Sequence, residues 1–304
     1  MKALITGISG FVGPYLKKQL IDNGIEVFGL DRNNQDKNNT IFYGDITDSV
    51  FIDKTIKKIK PDFIYHLAGF SSVRESFHHP DLVYKINVEG TKNILQAMRK
   101  FIPQTKILIV SSAVVYGTPL KVPILENEPT KKTSPYANSR IETENVLLKE
   151  FDDLNWIVSR SFNHTGPGQS TEFVIADFCA QAVMIEKGLK PPVILTGNLK
   201  ITRDFSDVRD IVLAYYLLLK KGKIREIYNV GSGNGYKIFD LLKFITSCIK
   251  IPIKIEQQQN KVRKIDNSLL IANVTKLTQD TGWTKSYDIQ KTIKDMIEYF
   301  RNTL

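Results

Sequence analysis

Three glycines spaced three apart, Gly7, Gly10 and Gly13, stand between an apolar run and an amphipathic one at the start of the chain. No other feature limits the fold as tightly. Residues 2–6 (KALIT) read as a short buried strand. Residues 11–23 place Phe11, Val12, Leu16 and Leu20 on one face of a helix. A glycine-rich turn from strand to helix lets the backbone bend sharply, approach a pyrophosphate closely and seat it on the helix N-terminus. Gly7, Gly10, Phe11, Val12 and Gly13 are therefore candidate cofactor-binding residues.

The pattern continues. Residues 25–30, 40–43, 61–68, 106–112 and 155–161 read as strands. Residues 49–59, with Ser49 as N-cap, 81–101 and 135–151 read as helices. The strands are near-continuous apolar runs, which belong to a parallel sheet covered on both faces. The expected fold class is α/β, a doubly wound parallel sheet. After about residue 165 the pattern loosens into Gly- and Pro-rich loops, short strands (VILTG, EIYNV, IKIEQ) and helices near 173–188, 207–220, 238–248 and 287–302. The expected organisation is a dinucleotide-binding domain over 1–164 and a smaller C-terminal α/β lobe over 165–304, partly interleaved with the first.

Composition excludes several alternatives. The 304 residues include 42% hydrophobic residues and only two Cys. That is enough for a sizeable core and too few Cys for a disulfide scaffold, and it fits a reducing, cytoplasmic setting. No apolar run of about 18 residues is present to span a membrane. The excess of 42 Lys+Arg over 32 Asp+Glu, a net charge of +10, raises nucleic acid as a partner. No basic recognition helix and no aromatic–basic interleaving support it.

Asp31 and Arg32 follow the second strand, where a dinucleotide fold places its ribose-binding acid. Asp31 favours NAD, since a carboxylate repels a 2′-phosphate; Arg32 favours NADP. The balance leans slightly to NAD. Asp45-Ile46 is placed to hold an adenine edge. His66 reads as packing and His164 as a candidate sugar contact. The four His and two Cys show no metal-ligand spacing, so no metal is expected. Cys179 and Cys248 read as small core residues.

Ser111-Ser112-x-x-x-Tyr116-Gly117 and Ser134-Pro135-Tyr136-x-x-x-Arg140, with His66-Leu67-Ala68 and Asn87-Val88-x-Gly90-Thr91, resemble the extended short-chain dehydrogenase/reductases that act on nucleotide sugars. The resemblance implies an oxidoreductase with NAD(H) or NADP(H). Ser112 and Tyr136 are its catalytic hydroxyls, and Leu67 and Ala68 line the cofactor. One position departs from the pattern: the family has Lys where this chain has Arg140. The positive charge is kept, but the planar guanidinium alters the contact to the cofactor ribose.

The family's 4,6-dehydratases carry an acid just after the catalytic hydroxyl. Here Ala113 and Val114 follow Ser112, which disfavours dehydration. Arg160-x-Phe162-Asn163-His164-Thr165-Gly166-Pro167-Gly168-Gln169, Phe173-Val174-x-x-Asp177-Phe178, Gly197-Asn198-Leu199 and Arg203-Asp204-Phe205-x-Asp207-Val208-Arg209-Asp210 are more similar to reductases of GDP-4-keto-6-deoxy-mannose than to epimerases. The implied substrate is a GDP-linked 4-keto-6-deoxy sugar, hexose or heptose, bound by Ser72, Val73, Ser112, Asn163, Val174, Arg203 and Arg263. Its product would feed surface polysaccharide such as lipopolysaccharide. A nucleotide-sugar 4-epimerase is the second reading, and a cofactor-binding protein with little turnover, because of Arg140, the third. The family's usual homodimer would pair the 81–101 helix with the Tyr136 helix.

Overall fold

The computed structural model describes residues 1–32, 40–258 and 269–304. Arg263 lies outside the described residues. The first half runs β1 (Lys2–Thr6), α1 (Val12–Asp22), β2 (Glu26–Asp31), β3 (Ile41–Tyr43), α2 (Ser49–Ile59), β4 (Phe63–His66), α3 (Val73–Ser76), α4 (Pro80–Tyr84), α5 (Gly90–Phe101), β5 (Lys106–Ser112), α6 (Pro135–Glu150) and β6 (Asn155–Ser161). The second runs β7 (Asn163–Thr165), α7 (Val174–Glu186), β8 (Val193–Thr196), β9 (Thr202–Asp207), α8 (Val208–Lys221), β10 (Glu226–Val230), β11 (Gly235–Lys237), α9 (Ile238–Ser247), β12 (Lys254–Gln257), β13 (Leu269–Leu270), α10 (Thr275–Thr281) and α11 (Ile289–Thr303).

Seven strands form one parallel sheet in the order β10-β6-β5-β4-β1-β2-β3. The α/β class read from the apolar runs is the class observed. From β1 the chain winds outward through β2 and β3, then returns to the other side of β1 for β4, β5 and β6. The order therefore reverses between β1 and β4. In an open α/β sheet the crevice at the carboxyl ends of such a pair is where ligands bind.

One face of the sheet is packed by α1 and α8, with Leu16, Leu20, Tyr215 and Leu218 fully buried. The other is packed by α2, α5 and α6 through residues such as Ile52, Leu95, Met98 and Leu147. Two elements of this layer come from the second half of the chain: β10 is its outermost strand and α8 covers one face. A separate core joins α7, α9 and α11 around Phe178, Leu242 and Met296.

Three local readings change. The N-cap of α2 is Asp48, not Ser49: the Asp48 carboxylate accepts the Val50 and Phe51 N–H groups at 3.0 Å. The expected single helix over 81–101 is α4, a π-helical turn over Lys85–Glu89 and then α5. Phe11 precedes α1 and, like Val12, is only half-buried.

Candidate active site

The glycine loop leaves β1 at the reversal point. Gly7 has φ +73°, and a Cβ there would lie 2.9 Å from the Ala68 backbone, so β1 and β4 meet with no room for a side chain. At Gly13 a Cβ would fall 2.1 Å from the Ile8 carbonyl oxygen, so only glycine lets α1 pack this closely on the loop. The N-terminus of α1 has no side-chain cap and no acid in its first turn. The Gly13 N–H is taken by the Gly10 carbonyl and Pro14 has none, so the helix dipole with the N–H groups of Phe11 and Val12 forms the seat for an anion.

Asp31 ends β2 beside this loop. One carboxylate oxygen accepts the Ser9 N–H at 2.9 Å and the other the Arg32 N–H at 2.7 Å. The carboxylate is thus fixed next to the glycine turn, while the Arg32 side chain is exposed. Asp45 accepts the Thr47 N–H at 2.8 Å, and the buried Ile46 packs into the space beside Gly90. Leu67 and Ala68, just past β4, are half-buried. Ser72 caps α3 through the Glu75 N–H, with Val73 half-buried beside it.

Tyr136 lies in the first turn of α6. Ser134 caps that helix by accepting the Ala137 N–H at 3.1 Å, and Pro135 occupies the first position. Ser112 ends β5 and caps the short 3-10 turn Ala113–Tyr116. Ser112 and Ser161 are register partners on neighbouring strands. Arg140 is one helical turn beyond Tyr136, with its guanidinium carbon 5.3 Å from the tyrosine ring centre. It is 5% exposed, its Nε has no hydrogen-bond partner, and no carboxylate pairs with it among the described residues. Its Nη2 fills the space that a side chain on Gly69 would need.

The buried acid of this region points elsewhere. Glu144, one turn past Arg140, accepts the Ser111 hydroxyl at 2.6 Å and is paired with the buried Arg160 at 2.6 Å. Arg160 also donates to the Tyr116 hydroxyl. Burial holds the Tyr116 phenol up at about 12, so it stays protonated in this network.

Residues 164–167 pack against the start of α1. Tyr15 donates to the Pro167 carbonyl at 2.7 Å, and the His164 ring lies parallel to Phe11 with centres 6.2 Å apart. Burial holds the His164 imidazole below its usual range. Asn163 is exposed on β7 and pairs in register with Phe205 of β9. Arg203, two residues earlier in β9, is buried and donates to the Thr202 carbonyl. Phe173 and Val174, at the start of α7, are exposed.

A cleft of about 710 Å³ opens in the second half of the chain, lined by Asn198, Leu199, Lys200, Lys237, Phe239 and Gln257 among others. Among the described residues, none of those expected to bind substrate lines it. Lys200 directly follows the Gly197-Asn198-Leu199 string and was within reach of sequence reading. Lys237 was not: it reaches the cleft because β11 pairs with β9, setting Lys237 opposite Thr202.

The described residues suit a dinucleotide: a tight glycine turn at Gly7, a helix N-terminus with no capping side chain, a fixed acid at the end of β2 and a buried cation that no described carboxylate pairs. Comparison with known proteins supports a dinucleotide cofactor. Residues 4–296 match the profile of the family described as GDP-mannose 4,6 dehydratase. GDP-6-deoxy-D-mannose reductase of Pseudomonas aeruginosa is 30% identical over 97% of this chain and 96% of its own length. The structure of RMD from Pseudomonas aeruginosa complexed with NADPH superimposes with a TM-score of 0.90 at 29% identity, covering 100% of this chain and 99% of that one. UDP-glucose 4-epimerase of Thermus thermophilus, in complex with NAD, gives 0.88 at 26% identity over the whole of both chains. The chain belongs to the GDP-mannose 4,6-dehydratase family of extended short-chain dehydrogenase/reductases.

Proposed function

We propose that this protein is an NAD(P)H-dependent reductase of the C4 ketone of a GDP-linked 4-keto-6-deoxy sugar. The observation that carries the reading is the pairing of Tyr136 with a buried, carboxylate-free Arg140, in a site whose hydroxyl residue is followed by Ala113 and Val114. Dehydration across C5–C6 needs a free carboxylate beside that hydroxyl. Glu144, the buried acid nearby, is occupied by Ser111 and Arg160.

The dinucleotide, when bound, supplies a hydride to the carbonyl carbon. Gly7, Gly10 and Gly13 shape the tight turn that brings the backbone to its pyrophosphate, with Phe11 and Val12 at the helix N-terminus. Asp31 accepts from the adenosine ribose, which favours NADH over NADPH. Asp45, Ile46, Leu67 and Ala68 border the adenine and nicotinamide ends. Ser112 donates to the ketone oxygen, and Tyr136 gives it a proton as it becomes an alcohol. Arg140 holds the ribose and stabilises the negative charge left on Tyr136. Asn163 and Arg203 hold the sugar diphosphate, with Ser72, Val73 and Val174 beside the sugar and base. The cleft at Lys200 and Lys237 extends this anion-binding surface toward the nucleotide. The two chains of a homodimer pair through the α4–α5 segment and α6, a reading supported by the apolar surface that Leu82 and Tyr84 of α4 and Leu148 of α6 expose. The protein works in the cytoplasm and serves surface-polysaccharide synthesis.

Incubating the protein with a GDP-4-keto-6-deoxy-hexose and NADH or NADPH tests the reading. Stoichiometric cofactor oxidation, faster with NADH, is expected, and Tyr136→Phe lowers kcat by about 10²- to 10⁴-fold. Interconversion of C4 epimers without net oxidation would instead establish a 4-epimerase, the reading that shares the Ser112–Tyr136 pair and resembles the Thermus enzyme in fold.

A further inference from the structure

His66 closes β4, is 2% exposed, and has no part in the reduction above. Both ring nitrogens have partners: Nδ1 lies 2.7 Å from Thr6 Oγ1, and Nε2 lies 2.9 Å from Thr91 Oγ1. The neighbours determine where the protons are. Thr91 donates its hydroxyl proton to the Asn87 carbonyl at 2.6 Å, so toward the ring its oxygen accepts. The ring proton is therefore on Nε2. Nδ1 is then an acceptor and takes the Thr6 hydroxyl proton. The Thr6 oxygen in turn accepts the Ala68 N–H at 3.2 Å. Each donor is used once, and all four bonds run in one direction.

The chain of bonds continues from the same turn. Asn87 accepts the Phe70 N–H at 2.8 Å and donates to Ser139 Oγ at 2.9 Å. Ser139 donates to the Tyr136 carbonyl at 2.8 Å. Ala68 lies against Gly7 at one end, and Tyr136 begins the catalytic helix at the other.

We propose that His66, as the neutral Nε2–H tautomer, is a positioning residue that fixes the Leu67–Gly69 floor of the dinucleotide site relative to the helix of Tyr136 and Arg140. This rests on the cofactor reading of residues 7–13 and 67–69. A second ring proton, on Nδ1, would make Thr6 Oγ1 its acceptor and turn the Thr6 hydroxyl proton away from the nitrogen that now takes it. Among the described residues the charged group facing the ring is Arg140, from α6, which disfavours a second cation. Burial acts in the same direction, and together they hold the imidazole down at about 3.

Long-range proton–nitrogen NMR correlation of ¹⁵N-histidine-labelled protein, from pH 5.5 to 8, tests the tautomer without substrate or cofactor. One of the four histidines is expected to keep the neutral Nε2–H pattern throughout, and its signals alone should move in Thr91→Val. A residue so identified that titrates near 6.5, or shows the Nδ1–H pattern, overturns the proposal. Fluorescence titration with NADH then reads the positioning. His66→Leu and Thr91→Val should each weaken binding on the order of tenfold. His66→Gln, whose amide can still donate to Thr91, should restore part of the loss, which a purely packing role would not give. Wild-type binding with an unaffected, folded His66→Leu overturns the positioning alone. A wild-type protein that binds neither NADH nor NADPH overturns the cofactor reading, and the positioning with it.

Discussion

A guanidinium keeps its proton at any pH a protein meets, so a buried arginine cannot lower the cost of its burial by titrating. Arg140 is such a residue. It has no carboxylate partner among the described residues and an orphaned Nε, and it lies against the Tyr136 ring. A lysine at this position is able to lose its charge when the site is empty; the arginine is not. The charge should therefore cost stability in the free protein and return it on binding. Arg140→Met removes the charge at similar volume, a change that is neutral or stabilising by about 1–4 kcal/mol at buried ionic sites. The expected outcome is a Tm at or above the wild-type value without cofactor, together with NADH affinity reduced at least about tenfold. A clear drop in Tm would show that Arg140 already has its compensation within the fold. Arg140→Lys keeps the charge and loses the planar fork, so kcat should stay within about tenfold of the parent. A parent that binds cofactor without turnover, beside an active Lys variant, would contradict the enzyme reading.

At the scale of elements, the glycine turn shows how a motif becomes geometry. A Cβ on Gly10 would lie 3.2 Å from the Gly7 carbonyl oxygen, a tight contact relieved by a shift of a few tenths of an ångström, whereas Gly13 leaves no space at all before Ile8. Gly13→Ala must push α1 away from the loop. It should destabilise the protein by about 1–3 kcal/mol or more and weaken dinucleotide binding in parallel, measured by thermal melts with and without NADH. Gly10→Ala should be milder in both. Unchanged melts for Gly13→Ala would mean that α1 can shift on the loop without cost. The apolar strands of the large sheet were legible because burial on both faces leaves a continuous signal: 106–112 and 155–161 match β5 and β6 residue for residue. β9 was not legible. Its sequence, TRDFSD, reads as a polar loop, yet Asp204 is fully buried because Ser232, Gly233 and Ala272 supply four donors to its carboxylate from later in the chain. The π-turn inside 81–101 was hidden for a similar reason. The Asn87 carbonyl accepts the Thr91 and Thr143 hydroxyls, and the second of these comes from α6. Ser112 and Tyr136, the proposed catalytic pair, were legible as a pattern, whereas Lys237 became visible only once β11 and β9 were paired.

At the scale of the whole molecule, the sheet reversal between β1 and β4 draws together residues far apart in sequence, and it also sets how the fold answers to acid. The net charge of +10 says little about this, since many basic groups are exposed and several are paired, as in Lys92–Glu150 and Arg99–Asp153. The buried histidines say more. His66 is held down at about 3 from an ordinary 6.5, and His164 is lowered too, both chiefly by burial. Between those limits the unfolded chain binds protons that the folded protein refuses. Stability is therefore complete above pH 6.5 and falls as pH drops toward the folded values, by up to about 1.4 kcal/mol per pH unit for each histidine fully in this window. The buried carboxyls of Asp204 and Asp210, raised by desolvation, act in the opposite sense, because the folded state holds their protons more readily. Both carboxyls are present in wild type and in His66→Gln, so the histidine contribution is read from the difference between these two proteins from pH 7 to 5. Over that range Tm should fall by several degrees, and the fall should be shallower in His66→Gln, which has no proton to take up there. The exposed His78 and His79 are the same in both proteins and cancel in the comparison. Equal slopes for wild type and His66→Gln would mean that the ring accepts a proton in the folded state near its ordinary value, and that the one-directional bond chain from Ala68 to Asn87 does not persist in solution.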